Sequence, residues 1–244
     1  VWFFLLVAFF GIANWAQNQT FKSTILPIVA FVLASFFHEA MFVGVITFLT
    51  IILLKKIELS INLLKCYAVS LKSILLIFSF VTIIGIFFFD GFNISIVDSY
   101  KNLINTKELI HITSSRNTGI AAFPEWTKSN SLTELIYKAP IRIIYFMFSP
   151  FPWEVNEFKH LLGMIDSITH FILIFLILRN RKVIWDNLAL RTIMLVLASY
   201  FIIFGMVIGN FGTAIRHRAK FIIGVILLIA PLLPKFIFSK KIKK

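Results

Sequence analysis

The segment Gly209–Lys220 holds the residue types that bind phosphate. Its last five residues contain three fixed positive charges and a histidine, namely Arg216, His217, Arg218 and Lys220. Arginine binds phosphate oxygens through two parallel N–H donors, and a glycine-containing backbone lets N–H groups approach a ligand closely. We expect Asn210 and the three cations to contact an anion, with histidine at position 217 transferring protons. A helix beginning near Lys220 would add a favourable dipole.

The composition restricts the class of protein that can carry this segment. The 244 residues are 59% hydrophobic and 14% charged, with a mean hydropathy of +0.92, whereas soluble domains have about 25% charged residues. A multi-pass protein of a cytoplasmic (inner) membrane is therefore predicted. The net charge of +13 comes mostly from cations that flank apolar segments, which is typical of cytoplasmic anchoring and argues against nucleic acid as a partner.

Neither a cofactor nor a metal site is predicted. The single cysteine, Cys66, cannot form an intrachain disulfide or a thiolate cluster by itself. The histidines and carboxylates show no third ligand at a fixed spacing. Because the sequence starts at Val1 within an apolar run, we also expect an N-terminally truncated fragment.

The predicted fold class is all-α, a polytopic membrane helix bundle of about six spans with one long extracytoplasmic loop. The division is into N-terminal membrane helices (1–89), the extracytoplasmic loop (90–159) and C-terminal membrane helices (160–244). The expected spans are Val1–Ala16 in part, Ile25–Leu54, Leu71–Phe89, His160–Leu178, Thr192–Ile208 and Phe221–Phe238.

Two stretches do not fit a simple span. Ile25–Leu54 would be about 45 Å long as one helix, so either it tilts strongly, or Ile25–Phe37 is an interfacial or re-entrant piece and Ala40–Leu54 completes the crossing. Pro140–Trp153 is too short to cross and is predicted to be a re-entrant or interfacial hairpin.

The basic segments predict the orientation. Lys- and Arg-rich loops stay in the cytoplasm, which places Lys55–Lys72, Arg179–Arg191 and the C-terminal tail inside. Gly209–Lys220 is then the one short basic loop outside, unless a span is miscounted and the loop is cytoplasmic. An outward basic loop favours an anion site, since ionisable residues near membrane depth are usually functional.

Other polar residues share the predicted outer side. Those assigned to proton transfer, together with His217, are His38, Glu39 and Glu125. Those assigned to substrate binding are Arg116, Trp126, Arg142 and Trp153. Structural alternatives stay open, because His38 and Glu39 can cap a broken helix and Trp153 can anchor at the membrane interface. Asp166 and His170 are spaced i, i+4, which predicts a structural hydrogen bond within the bundle rather than a proton relay.

The segments Asn210–Arg218 (NFGTAIRHR) and Ile143–Trp153 (IIYFMFSPFPW) carry a resemblance to bacterial membrane proteins of surface-polysaccharide gene clusters. The chain resembles O-antigen and capsule polymerases and, more distantly, class-C glycosyltransferases. The resemblance implies sugar transfer from polyprenyl-pyrophosphate-linked glycans at the outer face of the cytoplasmic membrane. It also implies that Arg216 and Arg218 hold the lipid pyrophosphate. Membrane lipid is the second expected partner.

The resemblance has one gap, because the acidic first outer loop of the class-C enzymes has no counterpart in this sequence. Two further hypotheses remain. One is a transporter or flippase component for a lipid-linked sugar, and the other is a non-catalytic assembly protein whose basic segment binds anionic lipid.

Overall fold

The computed structural model describes residues 1–63, 119–155 and 157–232, and its regular elements in these ranges are all helical. The α-helices are α1 (Trp2–Asn18), α2 (Phe21–Phe37), α3 (Phe42–Leu63), α4 (Leu132–Phe148), α5 (Phe158–Arg179), α6 (Arg181–Asp186), α7 (Leu188–Val207) and α8 (Phe211–Ile229). Short 3-10 turns occupy Glu39–Met41, Glu125–Thr127, Pro152–Glu154 and Ala230–Leu232.

The helical fold class is confirmed for the described ranges. Three segments there are long and apolar enough to cross a membrane, namely Glu39–Ile57, His160–Arg179 and Leu188–Val207. The chain is therefore a membrane protein by helix length and composition. The count of about six spans and the three-part division stay predictions. The predicted span Leu71–Phe89, residue Arg116 and the basic tail lie outside the described residues.

The first two helices form an antiparallel hairpin. Phe4 stacks on Phe37 with ring centroids 5.6 Å apart, and farther along the pair Gly11 lies against Pro27. The connection between the two helices is short. Only Gln19 and Thr20 separate the helices, because Thr20 and Ser23 form a capping box that starts α2 at Phe21.

The apolar run Ile25–Leu54 is interrupted, as in the second of the two predicted alternatives. His38 has an extended backbone (φ −162°, ψ 108°) and ends α2. A single 3-10 turn follows before α3 begins at Phe42. The hydroxyl of Tyr200 on α7 donates to the Met41 carbonyl oxygen at 2.8 Å, so a neighbouring helix satisfies a backbone group in the break.

The structure differs from the predicted hairpin Pro140–Trp153 in where the first arm begins. Helix α4 begins at Leu132, where the Ser131 side chain accepts from the Glu134 N–H, and Pro140 lies inside it. α4 runs antiparallel to α7, with Ile143 against Gly205 and Phe146 near Phe201. It ends beside Phe171 in the middle of α5, where the Phe148 ring lies 5.6 Å away.

The chain then turns back along α5 toward its start. The peptide between Ser149 and Pro150 is cis, and Pro150 packs against Gly163. Ser149 is fully buried and its carbonyl oxygen accepts from Ser167 at 2.6 Å. The irregular backbone at Ser149 is therefore enclosed by protein.

The prediction of a helix start near Lys220 is wrong. Helix α8 begins at Phe211, and the Asn210 side chain accepts from the N–H groups of Gly212 (2.8 Å) and Thr213 (3.3 Å). Asparagine is among the strongest N-cap residues, and the good helix formers Ala214, Arg216, Arg218, Ala219 and Lys220 favour the helix beyond it. Residues 211–220 are therefore the first turns of a helix rather than part of a loop.

Candidate functional site

The helical geometry of α8 separates the predicted cations. Arg216 is exposed, Lys220 is half-buried, and Arg218 is completely buried. Residues four apart share a helix face, whereas a residue midway between them lies on the opposite face. Arg216 and Lys220 can therefore act together on a ligand, and Arg218 cannot join them.

The break between α2 and α3 meets this part of α8. The rings of His38 and His217 are in edge contact, with centroids 5.0 Å apart. Phe204 of α7 contacts both rings, and its centroid lies 4.6 Å from that of His217. Lys220 Nζ lies 3.2 Å from His217 Nδ1. Two residues predicted to transfer protons are thus brought together with a predicted ligand-binding lysine.

Arg216 and Lys220 line an open depression of about 380 Å³ with the beginning of α1. The α1 residues there are Val1, Trp2 and Phe3, and the two aromatic side chains are 56% and 69% exposed. Cations beside exposed aromatic rings suit a ligand with an anionic group and an apolar chain. Such a ligand would place phosphate at the guanidinium and hydrocarbon along the rings.

Arg218 forms a buried ion pair in place of the predicted ligand contact. It donates to Asp166 Oδ2 at 2.7 Å, to the Met147 carbonyl oxygen at 2.7 Å and to Ser167 Oγ at 3.2 Å. Asp166 Oδ1 also lies 3.4 Å from His170 Nδ1. The predicted Asp166–His170 contact is therefore present, within an ion-pair network that binds α8 to α4 and α5.

Arg142 is also completely buried and has a structural role here. Its guanidinium donates to the carbonyl oxygens of Thr127 (2.9 Å), Met206 (3.2 Å) and Ile208 (3.2 Å). These are backbone groups of the 3-10 turn and of the end of α7. In this arrangement a ligand from outside does not reach Arg142, contrary to the expectation of substrate binding.

Trp126 and Trp153 lie at the two ends of a row of contacting aromatic rings. Successive centroid distances are 5.8 Å from Trp126 to Tyr145, 5.2 Å from Tyr145 to Phe151, and 4.9 Å from Phe151 to Trp153. The last pair is stacked, with 4° between the ring planes. The two indoles are 56% and 73% exposed. We call these four side chains the aromatic row.

The two carboxylates beside the row differ in environment. Glu125 has a 91% exposed side chain and pairs with Lys128 at 3.1 Å, which is ordinary surface chemistry. Glu154 is half-buried, and its Oε2 accepts from the Phe151 N–H at 2.9 Å. Burial raises the pKa of Glu154 above its usual range, and the Phe151 hydrogen bond opposes that rise. Glu154 is not among the catalytic residues predicted from the sequence, although its position next to Trp153 is a signal for it.

A short backbone pairing connects the aromatic row to the start of α8. The Phe123 N–H donates to the Gly209 carbonyl oxygen at 2.8 Å, and the Phe211 N–H donates to the Ala121 carbonyl oxygen at 2.9 Å. Asn210, predicted to bind substrate, lies within this pairing and caps α8. The aromatic row and the candidate residues of α8 therefore lie at the same end of the bundle.

The other basic segments of the described chain lie toward the opposite end. α3 begins beside His38 and leads away to Lys55 and Lys56. α7 ends beside His217. The start of α7 and the basic segment Arg179–Arg191 therefore lie at the far end of that helix. The predicted orientation depends on this separation of the basic segments between the two ends of the bundle.

Among the described residues, no three or more histidine, cysteine, aspartate or glutamate side chains are grouped so as to hold a metal ion. The chain matches none of the protein-family models, curated proteins or solved structures with which we compared it.

Proposed function

We propose that the protein is a membrane enzyme of polysaccharide biosynthesis that transfers or polymerises sugars from a polyprenyl-pyrophosphate-linked donor. The observation that carries the proposal is the depression in which Arg216 and Lys220 lie beside the exposed rings of Trp2 and Phe3. A polyprenyl pyrophosphate has the matching chemistry, because two phosphates precede a long apolar chain. Guanidinium and ammonium groups are the usual protein partners of phosphate.

The distribution of positive charge supports an outward-facing site. Lys55, Lys56 and the segment Arg179–Arg191 lie toward one end of the bundle and Arg216 lies at the other. With the more basic end in the cytoplasm, the candidate site faces the outer side of a cytoplasmic membrane. A lipid-linked sugar donor whose glycan is on the outer side of the membrane would reach the site there.

The proposed reaction needs a proton acceptor in addition to the lipid site. An acceptor hydroxyl oxygen attacks the anomeric carbon of the donor sugar, and the bond from that carbon to the pyrophosphate oxygen breaks. The hydroxyl proton passes to a carboxylate or histidine, with Glu39, Glu125, Glu154, His38 and His217 as the candidates. Arg216 and Lys220 stabilise the negative charge that develops on the leaving pyrophosphate. The products are the lengthened glycan and free polyprenyl pyrophosphate.

The aromatic row provides a surface for the glycan part of either substrate. Its two exposed indoles offer flat apolar faces, and Glu125 and Glu154 stand next to them as acceptors for sugar hydroxyl groups. A purely interfacial anchor would have no need of adjacent carboxylates, because anionic headgroups repel them. We therefore assign Trp126 and Trp153 to glycan binding.

The transporter alternative has less structural support. Transporters of that type place facing helix breaks near the middle of the membrane. In the described part of the chain, the α2–α3 break lies beside Phe204, near the end of α7, rather than halfway along the bundle. A sugar-transferring site at that end accounts for the cations and the exposed rings together.

The test compares Arg216→Ala, Lys220→Ala and the double variant with Arg181→Ala, a matched loss of an exposed arginine at the other end. Purified protein in nanodiscs is titrated with polyprenyl pyrophosphate, and polymer length is measured in cells at equal protein level. Loss of one charge-assisted contact should weaken lipid binding by about tenfold or more, and polymer should be lost. Normal binding and normal polymer in the double variant would refute the proposal.

A further inference from the structure

The connection between the spans α5 and α7 forms a second basic surface, apart from the candidate site. α5 ends at Arg179 and α7 begins at Leu188, and both helices contain segments long and apolar enough to cross a membrane. Only Asn180, the six-residue helix α6 and Asn187 lie between them. In a membrane, this connection lies where the apolar spans end, which is the level of the lipid headgroups.

The orientation of α6 on the bundle exposes apolar and cationic side chains together. Ile184 is completely buried and holds one side of α6 against the other helices. Val183 and Trp185 are 54% and 38% exposed, and Lys182 is also exposed. Helices that lie in a membrane interface combine these features, because their apolar side chains enter the hydrocarbon boundary while their cations remain with the headgroups. The exposed side of α6 therefore suits an amphipathic ligand.

Trp185 has one cation in contact with its ring and a second one on its own helix face. The Cζ atom of Arg191, in the first turn of α7, lies 5.8 Å from the centroid of the Trp185 ring, which is within the range of a cation–π interaction. Lys182 precedes Trp185 by three positions, and residues spaced i, i+3 are neighbours on a helix surface. A guanidinium and an ammonium therefore accompany an indole, the side chain that favours the headgroup level. We call Lys182, Trp185 and Arg191 the α6 surface.

The net charge of the connection indicates the sign of the ligand. The segment Arg179–Arg191 has four basic side chains and one carboxylate, Asp186, which gives a net charge of +3. We propose that the α6 surface binds the phosphate of an anionic phospholipid, with the acyl chains beside Val183 and Trp185. A soluble phosphate would leave these apolar side chains in water, which favours the lipid. No residue of the candidate site takes part, so the proposal does not rest on the proposed function.

The lipid preference at Trp185 is measured by fluorescence quenching. The full chain is reconstituted into phosphatidylcholine vesicles with increasing amounts of phosphatidylglycerol whose acyl chains carry bromine near the headgroup, because bromine quenches tryptophans that contact the lipid. The sequence has five tryptophans, so the difference between each protein and its Trp185→Phe counterpart isolates Trp185. At low ionic strength we expect phosphatidylglycerol to be preferred over phosphatidylcholine by about tenfold or more. Equal binding of the two lipids would overturn the proposal.

The dependence on the α6 surface is tested with two double variants of equal charge. Lys182→Gln/Arg191→Gln removes both cations of the surface, and the preference for phosphatidylglycerol should fall to about twofold or less. Lys22→Gln/Lys128→Gln removes two lysines outside the connection, and the preference at Trp185 should stay that of wild type. An equal loss in both double variants would show that the preference follows the total charge of the protein, contrary to the proposal.

A gain of preference is tested with Asp186→Asn, a measurement that does not depend on the folding of a variant without the two cations. Removal of the one carboxylate in the connection should strengthen the preference for phosphatidylglycerol by about two- to fivefold. An unchanged or weaker preference would contradict an electrostatic site. Inorganic phosphate added at constant ionic strength should leave the preference unchanged. If phosphate abolishes it, the surface binds a soluble anion and the lipid assignment is wrong.

Discussion

Arg142 and Arg218 each close the carboxyl end of a helix to which they do not belong. Arg142 on α4 donates to the carbonyl oxygens of Met206 and Ile208 at the end of α7. Arg218 on α8 donates to the Met147 carbonyl oxygen at the end of α4. The last carbonyl groups of a helix lack intrahelical partners, and a cation there complements the helix dipole. These two guanidinium groups therefore bind α4 to α7 and to α8.

The ion pair between Arg218 and Asp166 should be sensitive to the loss of one partner. Arg218→Met leaves a carboxylate with most of its charge compensation removed, and we expect a loss of about 3–5 kcal/mol of unfolding free energy. The double variant Arg218→Met/Asp166→Leu should recover a large part of that loss, because no uncompensated charge remains. Thermal unfolding in detergent measures all three proteins and their coupling. An additive double variant would show that the pair does not interact.

Gly205 allows close approach of α7 to α4. A Cβ atom at this position would lie 2.7 Å from the Ile143 Cα, a backbone atom that cannot rotate away. We expect Gly205→Ala to cost about 1–3 kcal/mol through overpacking. Gly212→Ala is the matched control, since its Cβ would meet only the Asn210 side chain, at 3.2 Å. Equal thermal stability of the two variants would contradict this helix contact.

Asn210 can be tested for its two assigned roles separately. Asp is an equally good N-cap, so Asn210→Asp should keep the stability of wild type, whereas Asn210→Ala should lose about 1 kcal/mol. If Asn210 also contacts a bound phosphate, the added negative charge in Asn210→Asp should weaken pyrophosphate binding without unfolding the protein. Wild-type affinity in Asn210→Asp would restrict Asn210 to capping.

The orientation is tested by labelling single cysteines in a Cys66→Ser background. Thr213 and Lys182 are both exposed and lie at the two ends of the helix bundle. In intact cells a membrane-impermeant maleimide should label Thr213→Cys, and it should label Lys182→Cys only after permeabilisation. The reverse result would place Arg216 in the cytoplasm and remove the basis for a donor site at the outer face.

Several features could be predicted from the sequence, because each of them depends on residues that are neighbours in the chain. Asp166 and His170 contact each other at 3.4 Å, as their i, i+4 spacing predicts. An interruption of Ile25–Leu54 at His38-Glu39 is one of the two predicted alternatives, because polar residues stand there within an apolar run. Helix α8 starts earlier than predicted, because Asn210 caps it and the basic residues belong to the helix rather than to a loop.

The sequence by itself determined that this is a helical membrane protein with an unusual group of cations before its last apolar run, because helix length, apolar content and charge are local quantities. Only the tertiary structure decided how those cations divide. Arg216 and Lys220 face a depression, whereas Arg218 turns inward to Asp166 and the end of α4. The physical reason is that burial of a charge requires compensating groups from other helices, and their positions depend on packing between segments far apart in the chain.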